Sequence, residues 1–380
     1  MRYIYMDNAA TSSLGEGVFE SMEPYFQKFW SNPSSVYGFS DMPKKEIKRA
    51  RESCANLIGA EPEEIYFTSG GSEADNWAVK GVCSYFYGEK SKIVTTPIEH
   101  KAVLKSAGSM EKYGFKTEYI PVDEKGKINL NSAEKIIDKT TALVSVMYAN
   151  NEVGTIEPVK EAAEIAHRNG AYFHTDAVQA AGHIGINVKR DNIDLLSVSG
   201  HKFGTPKGIG FLYIKNGINI DNLIEGGGQE KGKRAGTENV PYIAAIGRAS
   251  ENAMANFIEN SLISAQKRDY FVKLILDFIP DTFLNGDSTD RLPSNANISF
   301  IGTEGRAVVN MLSYYGICVS AQSACAANLS QGSYVLKAMG LSNERINSAV
   351  RFSLSPDIDY GEIKFVFERL KNIIKMLRDV

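Results

Sequence analysis

Short apolar runs alternate with amphipathic segments between about residue 60 and residue 215 of this chain. The runs are rich in β-branched and aromatic side chains, which favours strands, whereas the segments between them carry apolar residues at helical spacing. The predicted strands are 64–68, 92–96, 141–147, 171–175, 193–199 and 209–214. The predicted helices between them are 72–87, 100–113 and 159–169. Alternation of this kind favours a mainly parallel sheet that is covered by helices on both faces.

The pattern changes in the last third of the chain. A long helical segment is predicted over 237–278, and the remainder combines strands near 296–300 and 349–354 with helices near 304–314 and 360–378. We therefore predict an α/β fold, with a mainly parallel seven-stranded type of sheet in a large domain and a smaller α+β domain after it. The large domain is predicted to span 13–255, and the small domain to combine 1–12 with 256–380.

Composition and charge argue against several classes of protein. The chain has 380 residues and a formal net charge of −3, and no basic cluster is interleaved with aromatic residues, so we expect no nucleic-acid binding. No apolar run reaches membrane-spanning length, and the N-terminus lacks a signal or transit pattern, which favours a cytoplasmic protein without membrane contact. The four cysteines form no CxxC pair and the five histidines are scattered, so neither a disulfide framework nor a metal site is expected.

Two charged residues stand at the predicted ends of buried strands. Lys202 follows the strand 193–199, and Asp176 follows the strand 171–175. Ligands of parallel sheets bind beyond the carboxyl ends of the strands, so both side chains are expected to reach one site. Pyridoxal 5'-phosphate (PLP) requires a lysine that forms a Schiff base and a carboxylate that keeps the pyridine nitrogen protonated. A lysine at a strand end is, by itself, also typical of a solvated surface.

A glycine-rich turn, 69–75, follows the first predicted strand of the sheet. Such a turn lets the N–H groups at the start of a helix approach a phosphate. Ser72 can also cap this helix, with Asp75 completing a capping box, and an ordinary capped turn is the plain alternative. A second cluster, 227–233, matches most of a nucleotide-binding P-loop, but Arg234 stands where a magnesium-binding hydroxyl is needed.

Two more polar residues are expected at the same edge of the sheet. His100 follows the strand 92–96, and Asn151 lies in the turn after the strand 141–147. A histidine at the end of a strand is commonly structural, and asparagines are common turn formers. Both residues become candidates for cofactor contact because Asp176 and Lys202 should lie at the same edge.

Cys325 is the best candidate for a reactive thiol. The residues around it, 320–332, are small and polar, which is typical of a mobile loop, whereas a structural cysteine prefers an apolar wall. Cys54, Cys83 and Cys318 stand among apolar or helical neighbours, so we expect all three to be buried in the core.

Together these segments resemble the group I cysteine desulfurases, which serve iron–sulfur cluster assembly and tRNA thiolation. That family belongs to the class V aminotransferases within the fold-type I PLP enzymes. The resemblance covers nearly the whole chain, and its most specific segments are 67–73, 99–101, 150–154, 199–202, 234–237, 323–325 and 351–353. The order and spacing of these segments make a chance match implausible.

The resemblance implies a role around PLP for each candidate residue. Lys202 forms the Schiff base and Asp176 pairs with the ring nitrogen. His100 stacks on the ring and can move protons, while Gln179 and Asn151 lie near the ring hydroxyl.

The resemblance also implies how the phosphate of PLP is held. Gly71, Ser72, Ser199 and His201 bind it within one subunit. Thr237 of the neighbouring subunit completes the set, which implies a homodimer.

The implied substrate is L-cysteine, whose carboxylate is held by Arg351 with Asn151 beside it. Cys325 attacks the substrate sulfur and keeps it as a persulfide, and L-alanine is released. The sulfur is then passed to acceptor proteins, either an iron–sulfur scaffold or tRNA-thiolation enzymes. The alternatives are a selenocysteine lyase or another class V PLP enzyme, which need not use Cys325, and, more distantly, a nucleotide-binding protein that uses 227–233.

Some positions depart from the family pattern. Ser72 stands where threonine is common, Tyr37 where histidine is frequent, and Gln322 where glycine usually precedes the nucleophile. The sequence ends at Val380, soon after its last predicted helix, whereas close relatives continue into a tail that helps to dock the scaffold. We therefore expect a scaffold to dock mainly around the loop that carries the reactive cysteine.

Overall fold

The computed structural model describes residues 3–321 and 332–379. The strands in these ranges are β1 (Ile4–Tyr5), β2 (Ile65–Thr68), β3 (Lys92–Thr95), β4 (Lys116–Tyr119), β5 (Thr141–Ser145), β6 (Tyr172–Asp176), β7 (Leu195–Ser199), β8 (Gly210–Ile214), β9 (Thr282–Asn285), β10 (Asn295–Phe300), β11 (Ile317–Cys318) and β12 (Ala349–Ser353). The α-helices are α1 (Val18–Gln27), α2 (Asp41–Ile58), α3 (Gly71–Tyr85), α4 (Lys101–Ser109), α5 (Leu130–Ile136), α6 (Val159–Arg168), α7 (Val240–Phe278), α8 (Gly305–Tyr314), α9 (Tyr334–Ala338), α10 (Asn343–Asn347) and α11 (Tyr360–Arg378).

Seven strands form one sheet in the order β2-β8-β7-β6-β5-β3-β4. The strands from β7 to β4 in this order are parallel, whereas β8 runs antiparallel to both of its neighbours. This arrangement confirms the predicted mainly parallel sheet. The apolar pattern does not predict β4, because the residues of this edge strand are polar and partly exposed.

Helices cover both faces of the sheet. Neighbouring strand residues alternate between two cores: Leu195 and Leu212 pack with α3 and α4, whereas Leu196 and Phe211 pack with α2, α5 and α6. Strands that are buried on both faces appear in the sequence as continuous apolar runs, which explains why most of them could be predicted.

The C-terminal part of the chain builds a second core around a smaller antiparallel sheet. Its strand order is β12-β10-β9, and the short β1 and β11 pair in parallel beside it. Side chains of α8 and α11 pack in this core together with Met6, from the N-terminal segment. The two sheets together confirm the predicted fold class, α/β with a smaller α+β part.

Helix α7 contributes to both cores over its 39 residues. Ile243 and Ile246 lie in the core of the large sheet, and Phe271 and Ile275 lie in the smaller core. The predicted boundary between residues 255 and 256 falls inside this continuous helix, so the division of the chain there stays a prediction. In the two described ranges, no helix combines the length and the apolar character needed to cross a bilayer.

Candidate active site

The carboxyl ends of β3, β5, β6 and β7 lead to one cleft at the edge of the large sheet, beside the first turn of α3. The cleft has a volume of about 330 Å³, which is in the range of small-molecule sites. The predicted site residues that line it are Gly71, Ser72, His100, Asn151, Asp176, Gln179, Ser199, His201, Lys202 and Arg351. Their individual roles stay predictions, and Thr237 and Cys325 are treated separately below.

Lys202 enters the cleft from the short turn 200–202 that follows β7. Its Nζ donates hydrogen bonds to the backbone oxygens of Ala9, at 2.7 Å, and Ala10, at 2.8 Å. Gln179 Nε2 donates to the same Ala9 oxygen at 2.9 Å. The N-terminal segment therefore holds the lysine amine at the cleft instead of letting it extend into solvent.

Asp176 is the last residue of β6 and is only 5% exposed. The backbone N–H of Val178 donates a hydrogen bond to its Oδ1 at 2.9 Å. Burial raises the pKa of this carboxyl, and the electrostatic influence of His100, the hydrogen bond from Val178 and the charge of Lys202 oppose the shift. A carboxylate that has lost its hydration is stabilised most by a cationic partner, and the protonated nitrogen of a pyridine ring is such a partner.

A buried polar network that the sequence analysis missed lies next to Asp176. Asp75 is 1% exposed, and Ser145, His174 and Ser197 are fully buried. The two ring nitrogens of His174 lie 2.8 Å from Ser145 Oγ and 2.9 Å from Ser197 Oγ. Burial lowers the pKa of His174 to about 3, and burial together with the charge of Asp176 raises the pKa of Asp75 well above its usual value. The sequence does contain a signal for this network: a polar residue stands in each of the three neighbouring buried strands β5, β6 and β7.

The predicted capping box at the start of α3 is wrong. The helix begins at Gly71, and Gly70 occupies the N-cap position without a side-chain cap. Asp75 is buried instead of closing a box with Ser72. The first N–H groups of any helix have no partner within the helix, and here that turn lines the cleft, which suits an anion such as a phosphate.

Close backbone packing fixes the position of this turn. A Cβ on Gly210 would lie 2.3 Å from the backbone oxygen of Val198 and 2.8 Å from the Cα of Gly70, so only glycine fits at the start of β8. Ser199 is the register partner of Gly210 and therefore reaches the cleft next to the turn. His201 stands two residues further on, and burial, with the charge of Lys202, lowers its pKa to about 4, which leaves the ring neutral near pH 7.

His100 caps the N-terminus of α4. Its Nδ1 accepts a hydrogen bond from the N–H of Ala102 at 3.2 Å, so the neutral ring carries its proton on Nε2. The preceding residue, Glu99, is fully buried, and its Oε1 accepts hydrogen bonds from Thr96 Oγ1 and from the N–H of Met147, both at 2.8 Å. Burial raises the pKa of Glu99 well above its usual value. Glu99 thus ties the turn that carries His100 to the segment after β5.

Arg351 lies on β12 and is 1% exposed. Its Nη1 donates to the backbone oxygen of Asn151 at 2.9 Å, and its Nη2 donates to Oδ1 of Asp7 at 2.8 Å. Arg351 Nε and Asn151 Oδ1 are both buried and have no hydrogen-bond partner among the described residues. Buried polar atoms are normally satisfied, so these two atoms fit a ligand that brings both an acceptor and a donor. The sequence analysis did not identify Asp7.

The polar groups of the cleft can be compared one by one with the functional groups of PLP. The cleft contains an amine, a buried carboxylate and the N-terminus of a helix. These groups match, respectively, the aldehyde, the ring nitrogen and the phosphate of PLP. The ring hydroxyl of PLP is a donor that can satisfy the buried Oδ1 of Asn151. The residues of the cleft therefore fit the cofactor.

Thr237 lies outside this cleft and is exposed. Its segment is held by Arg234, whose Nε donates to Glu73 at 2.8 Å. Although burial opposes it, hydrogen bonds from Arg234 and Ser69 lower the pKa of Glu73. A contact of Thr237 with the cleft of a neighbouring subunit stays a prediction.

Cys325 and Gln322 fall outside the described residues. Cys54 and Cys83 are fully buried, as expected, and burial raises the pKa of each thiol to about 12. The prediction that Cys318 fills the core is wrong. Its side chain is partly exposed, in the two-residue strand β11 that pairs with the equally short β1.

The segment 227–233 does not have the geometry of a P-loop. In this described part of the chain no strand leads directly into it, since β8 ends at Ile214, and a bend follows where a P-loop requires a helix. Glu230 within it is buried and accepts hydrogen bonds from Arg51 and from the N–H of Phe67, which indicates a structural role.

Comparison with known proteins identifies the family. Residues 4–366 match the family model described as aminotransferase class V. "Cysteine desulfurase IscS" of Clostridium botulinum is 48% identical over 384 aligned positions, which cover 100% of this chain and 96% of that protein. "Cysteine desulfurase IscS" of Methanosarcina thermophila is 44% identical, over 99% of this chain and 93% of that protein.

The solved structure of a NifS-like protein superimposes with a TM-score of 0.93 at 36% identity, over 99% of this chain and 100% of that one. The identity of these relatives over the whole chain shows family membership, and the structural match agrees with it over whole chains. The chain therefore belongs to the class V aminotransferase family and, within it, to the cysteine desulfurases.

Proposed function

We propose that this chain is a PLP-dependent cysteine desulfurase that takes the sulfur of L-cysteine onto Cys325 and releases L-alanine. The observation that carries the proposal is the convergence of an amine, a buried carboxylate and a buried guanidinium on one cleft, from Lys202, Asp176 and Arg351. The substrate is supported by a solved structure described as SspA in complex with cysteine, which is 36% identical with a TM-score of 0.83, over 93% of this chain and 99% of that one.

The residues around the ring nitrogen would hold PLP in its reactive form. When bound, PLP supplies an electron sink for the carbanion that forms as the substrate loses its Cα proton. Asp176 would remain ionised against the ring nitrogen, because Asp75 beside it retains its own proton. Lys202 would provide the amine for covalent attachment, and the first turn of α3 would bind the phosphate.

Arg351 and Asn151 would orient the substrate. The guanidinium has a buried Nε that can donate to the substrate carboxylate, and Asn151 stands beside it. His100 carries a proton on Nε2 and lines the same cleft, so it can exchange protons with the substrate. The contacts of Arg351 and Asn151 with the carboxylate would favour one orientation of the substrate in the cleft.

Cys325 would act as the nucleophile in the sulfur-transfer step. Its thiolate attacks the substrate sulfur, the Cβ–S bond breaks, and the electron pair of that bond stays on carbon. A proton then completes L-alanine, and the sulfur remains on Cys325 as a persulfide. An unperturbed thiol has a pKa of about 8.5 and is mostly protonated at pH 7, so the site must favour the anion.

We also propose a homodimer that passes sulfur to an iron–sulfur scaffold or to tRNA-thiolation enzymes. Thr237 is exposed on a segment fixed by the Arg234–Glu73 ion pair, which suits a contact across a subunit boundary. Exposed apolar side chains, including Trp30 and Phe39, offer a surface that a second subunit could cover. We also propose a cytoplasmic location.

A combined spectroscopic and chemical experiment tests the proposal. The purified protein should carry PLP, and borohydride reduction followed by peptide mapping should label Lys202. Addition of L-cysteine with a thiol reductant should produce equal amounts of sulfide and L-alanine. Labelling of another lysine, or sulfide formation without alanine, would show the proposal to be wrong.

A further inference from the structure

The buried guanidinium of Arg351 already has a counter-charge within the protein. Its Nη2 donates to Oδ1 of Asp7 at 2.8 Å, and the two side chains are 1% and 17% exposed. Burying an unpaired charge is strongly unfavourable, so this ion pair stabilises Arg351 before any substrate carboxylate arrives.

The position of Asp7 is fixed by the strands on either side of it. The N–H of Met6 donates to the oxygen of Cys318 at 2.9 Å, and the N–H of Ser353 donates to the oxygen of Met6 at 2.8 Å. Asn8 Nδ2 donates to the oxygen of Ser353 at 2.9 Å. With both neighbours bonded in this way, the backbone of Asp7 is held beside β12, and its carboxylate stays within reach of Arg351 when a ligand enters the cleft.

A substrate carboxylate at Arg351 must therefore share the guanidinium with Asp7. The buried Nε of Arg351 leaves a donor for it, but the second carboxylate meets the negative charge of the first. The same short segment continues to Ala9 and Ala10, whose oxygens accept hydrogen bonds from Lys202 Nζ. One segment thus contacts both the guanidinium expected to hold the carboxylate of an amino acid and the lysine expected to attach PLP.

We propose that Asp7 determines how tightly the site holds an α-carboxylate. It orients Arg351 and balances its positive charge before substrate binds. Its own negative charge then weakens the hold on the α-carboxylate, so that the amino-acid product can leave. This inference rests on the proposed function, in which Arg351 binds the substrate carboxylate. Asp7 places a negative charge in a site that otherwise attracts carboxylates, and this charge opposes tight binding of a substrate or product carboxylate.

The test compares wild-type and Asp7→Asn protein, both loaded with PLP. Asparagine keeps an oxygen that can accept from Nη2 but removes the charge. Calorimetry measures the dissociation constants of L-alanine and of ethylamine, which is L-alanine without its carboxylate. We expect L-alanine to bind about tenfold more tightly to the variant because the like charge is gone, and ethylamine binding to be unchanged. L-alanine binding that is unchanged or weaker, or an equal change for ethylamine, would overturn the inference.

Thermal unfolding gives a readout that does not depend on turnover. Without ligand, Asp7→Asn should have a lower Tm than wild type, because Arg351 loses its counter-charge, and L-alanine should raise the Tm of the variant more than that of wild type. A smaller rise in the variant would contradict the inference. If Asp7→Asn does not fold, Asp7→Ser must change the affinity for L-alanine in the same direction.

Two further variants separate this inference from the proposed function. Arg351→Gln should abolish the preference for L-alanine over ethylamine, and if it does not, the proposed substrate site itself is wrong. If Arg351→Gln abolishes that preference and Asp7→Asn does not increase it, only the inference about Asp7 fails. Asp357→Asn removes a charge from an exposed position after β12 and should leave both dissociation constants unchanged.

Discussion

The side chains of Asp75 and Asp176 approach each other beside the large sheet, with a carboxylate oxygen of each within 4.8 Å of the other. Asp75 comes from α3 and Asp176 from the end of β6, and both are buried. Two carboxyls this close in a buried site do not both ionise easily, so one of them retains a proton. Because His100 and Lys202 favour the ionised form of Asp176, the proton is expected on Asp75.

We predict that Asp75→Asn changes the pH dependence of stability. The raised pKa of Asp75 means that the folded protein keeps a proton which the unfolded chain loses near pH 4. The stability that this group contributes is complete below about pH 4 and is lost as the pH rises through the folded pKa. Thermal unfolding of cofactor-free protein should therefore show wild type losing stability relative to Asp75→Asn as the pH is raised from 4 toward neutral. The loss should approach about 1.4 kcal/mol for every tenfold difference in acidity between the folded and unfolded carboxyl.

The control for this prediction is Asp357→Asn, because Asp357 is exposed. Its unfolding curve should follow that of wild type at every pH. A constant difference between Asp75→Asn and wild type across the pH range would contradict a raised pKa at Asp75.

We predict that Asp176→Asn reduces turnover more than it reduces PLP binding. The amide is neutral and no longer keeps the ring nitrogen protonated, and every tenfold loss of basicity there weakens the electron sink by about 1.4 kcal/mol. The cofactor content of the purified variant and its rate of alanine formation should be measured together. Turnover close to wild type in a variant that retains PLP would argue against this pairing.

Gly210→Ala should destabilise the protein and weaken PLP binding. The added Cβ would lie 2.3 Å from the oxygen of Val198, so β8 or the turn at Gly70 must shift. Overpacking of this kind costs about 2 kcal/mol. Gly108→Ala is the matched control, because Gly108 lies in α4 with nothing within 4 Å of its added Cβ. That control should be neutral or stabilising by up to about 1 kcal/mol, and equal unfolding midpoints for the two variants would contradict the prediction.

A mixing experiment checks the proposed dimer. A Lys202→Ala chain and a Thr237→Val chain are each expected to have little activity. A heterodimer formed by denaturing and refolding them together has one site with both a sound lysine and a sound threonine. Partial recovery of activity is the expected result, and light scattering should give the mass of a dimer. No recovery from verified heterodimers would mean that Thr237 does not act across subunits.

We expect Cys325→Ser to abolish sulfur release while PLP stays bound, because a serine hydroxyl is far too basic to replace a thiolate. L-cysteine should still change the visible spectrum of the variant without forming alanine or sulfide. Cys318→Ser is the control, since Cys318 is a partly exposed thiol that the proposal gives no role, and it should keep its activity. Mass spectrometry after a brief pulse of L-cysteine should find the extra sulfur on the peptide with Cys325, and an extra sulfur on Cys318 instead would reject the assignment.

The large sheet and two of its site residues could be predicted because the signal is local. Strands that are buried on both faces leave continuous apolar runs, and a charged residue just after such a run must lie at the edge of the sheet. Lys202 and Asp176 both satisfy this condition. The edge strand β4 could not be predicted, because Lys116–Tyr119 carries no apolar run and its pairing depends on β3.

Other residues of the cleft depend on contacts that no local pattern reveals. Asp7 pairs with Arg351 across 344 positions of sequence. Asp75 has the spacing of a capping residue, but the sheet below α3 determines that it is buried. Cys318 has apolar neighbours, Ile317 and Val319, and yet it is partly exposed, because its burial depends on tertiary packing around β11 and not on its neighbours in sequence.

The pairing of Asp7 with Arg351 also determines when the site can form during synthesis. The segment that contains Asp7 leaves the ribosome first, but β12, which carries its partner, is made almost last. The large sheet can fold from consecutive elements before β11 and β12 are made, while the first residues have neither of these two strands to contact. An unfinished chain can therefore have Asp176 in place at the end of β6 and still lack both the N-terminal contacts of Lys202 and the residues expected to receive an amino acid.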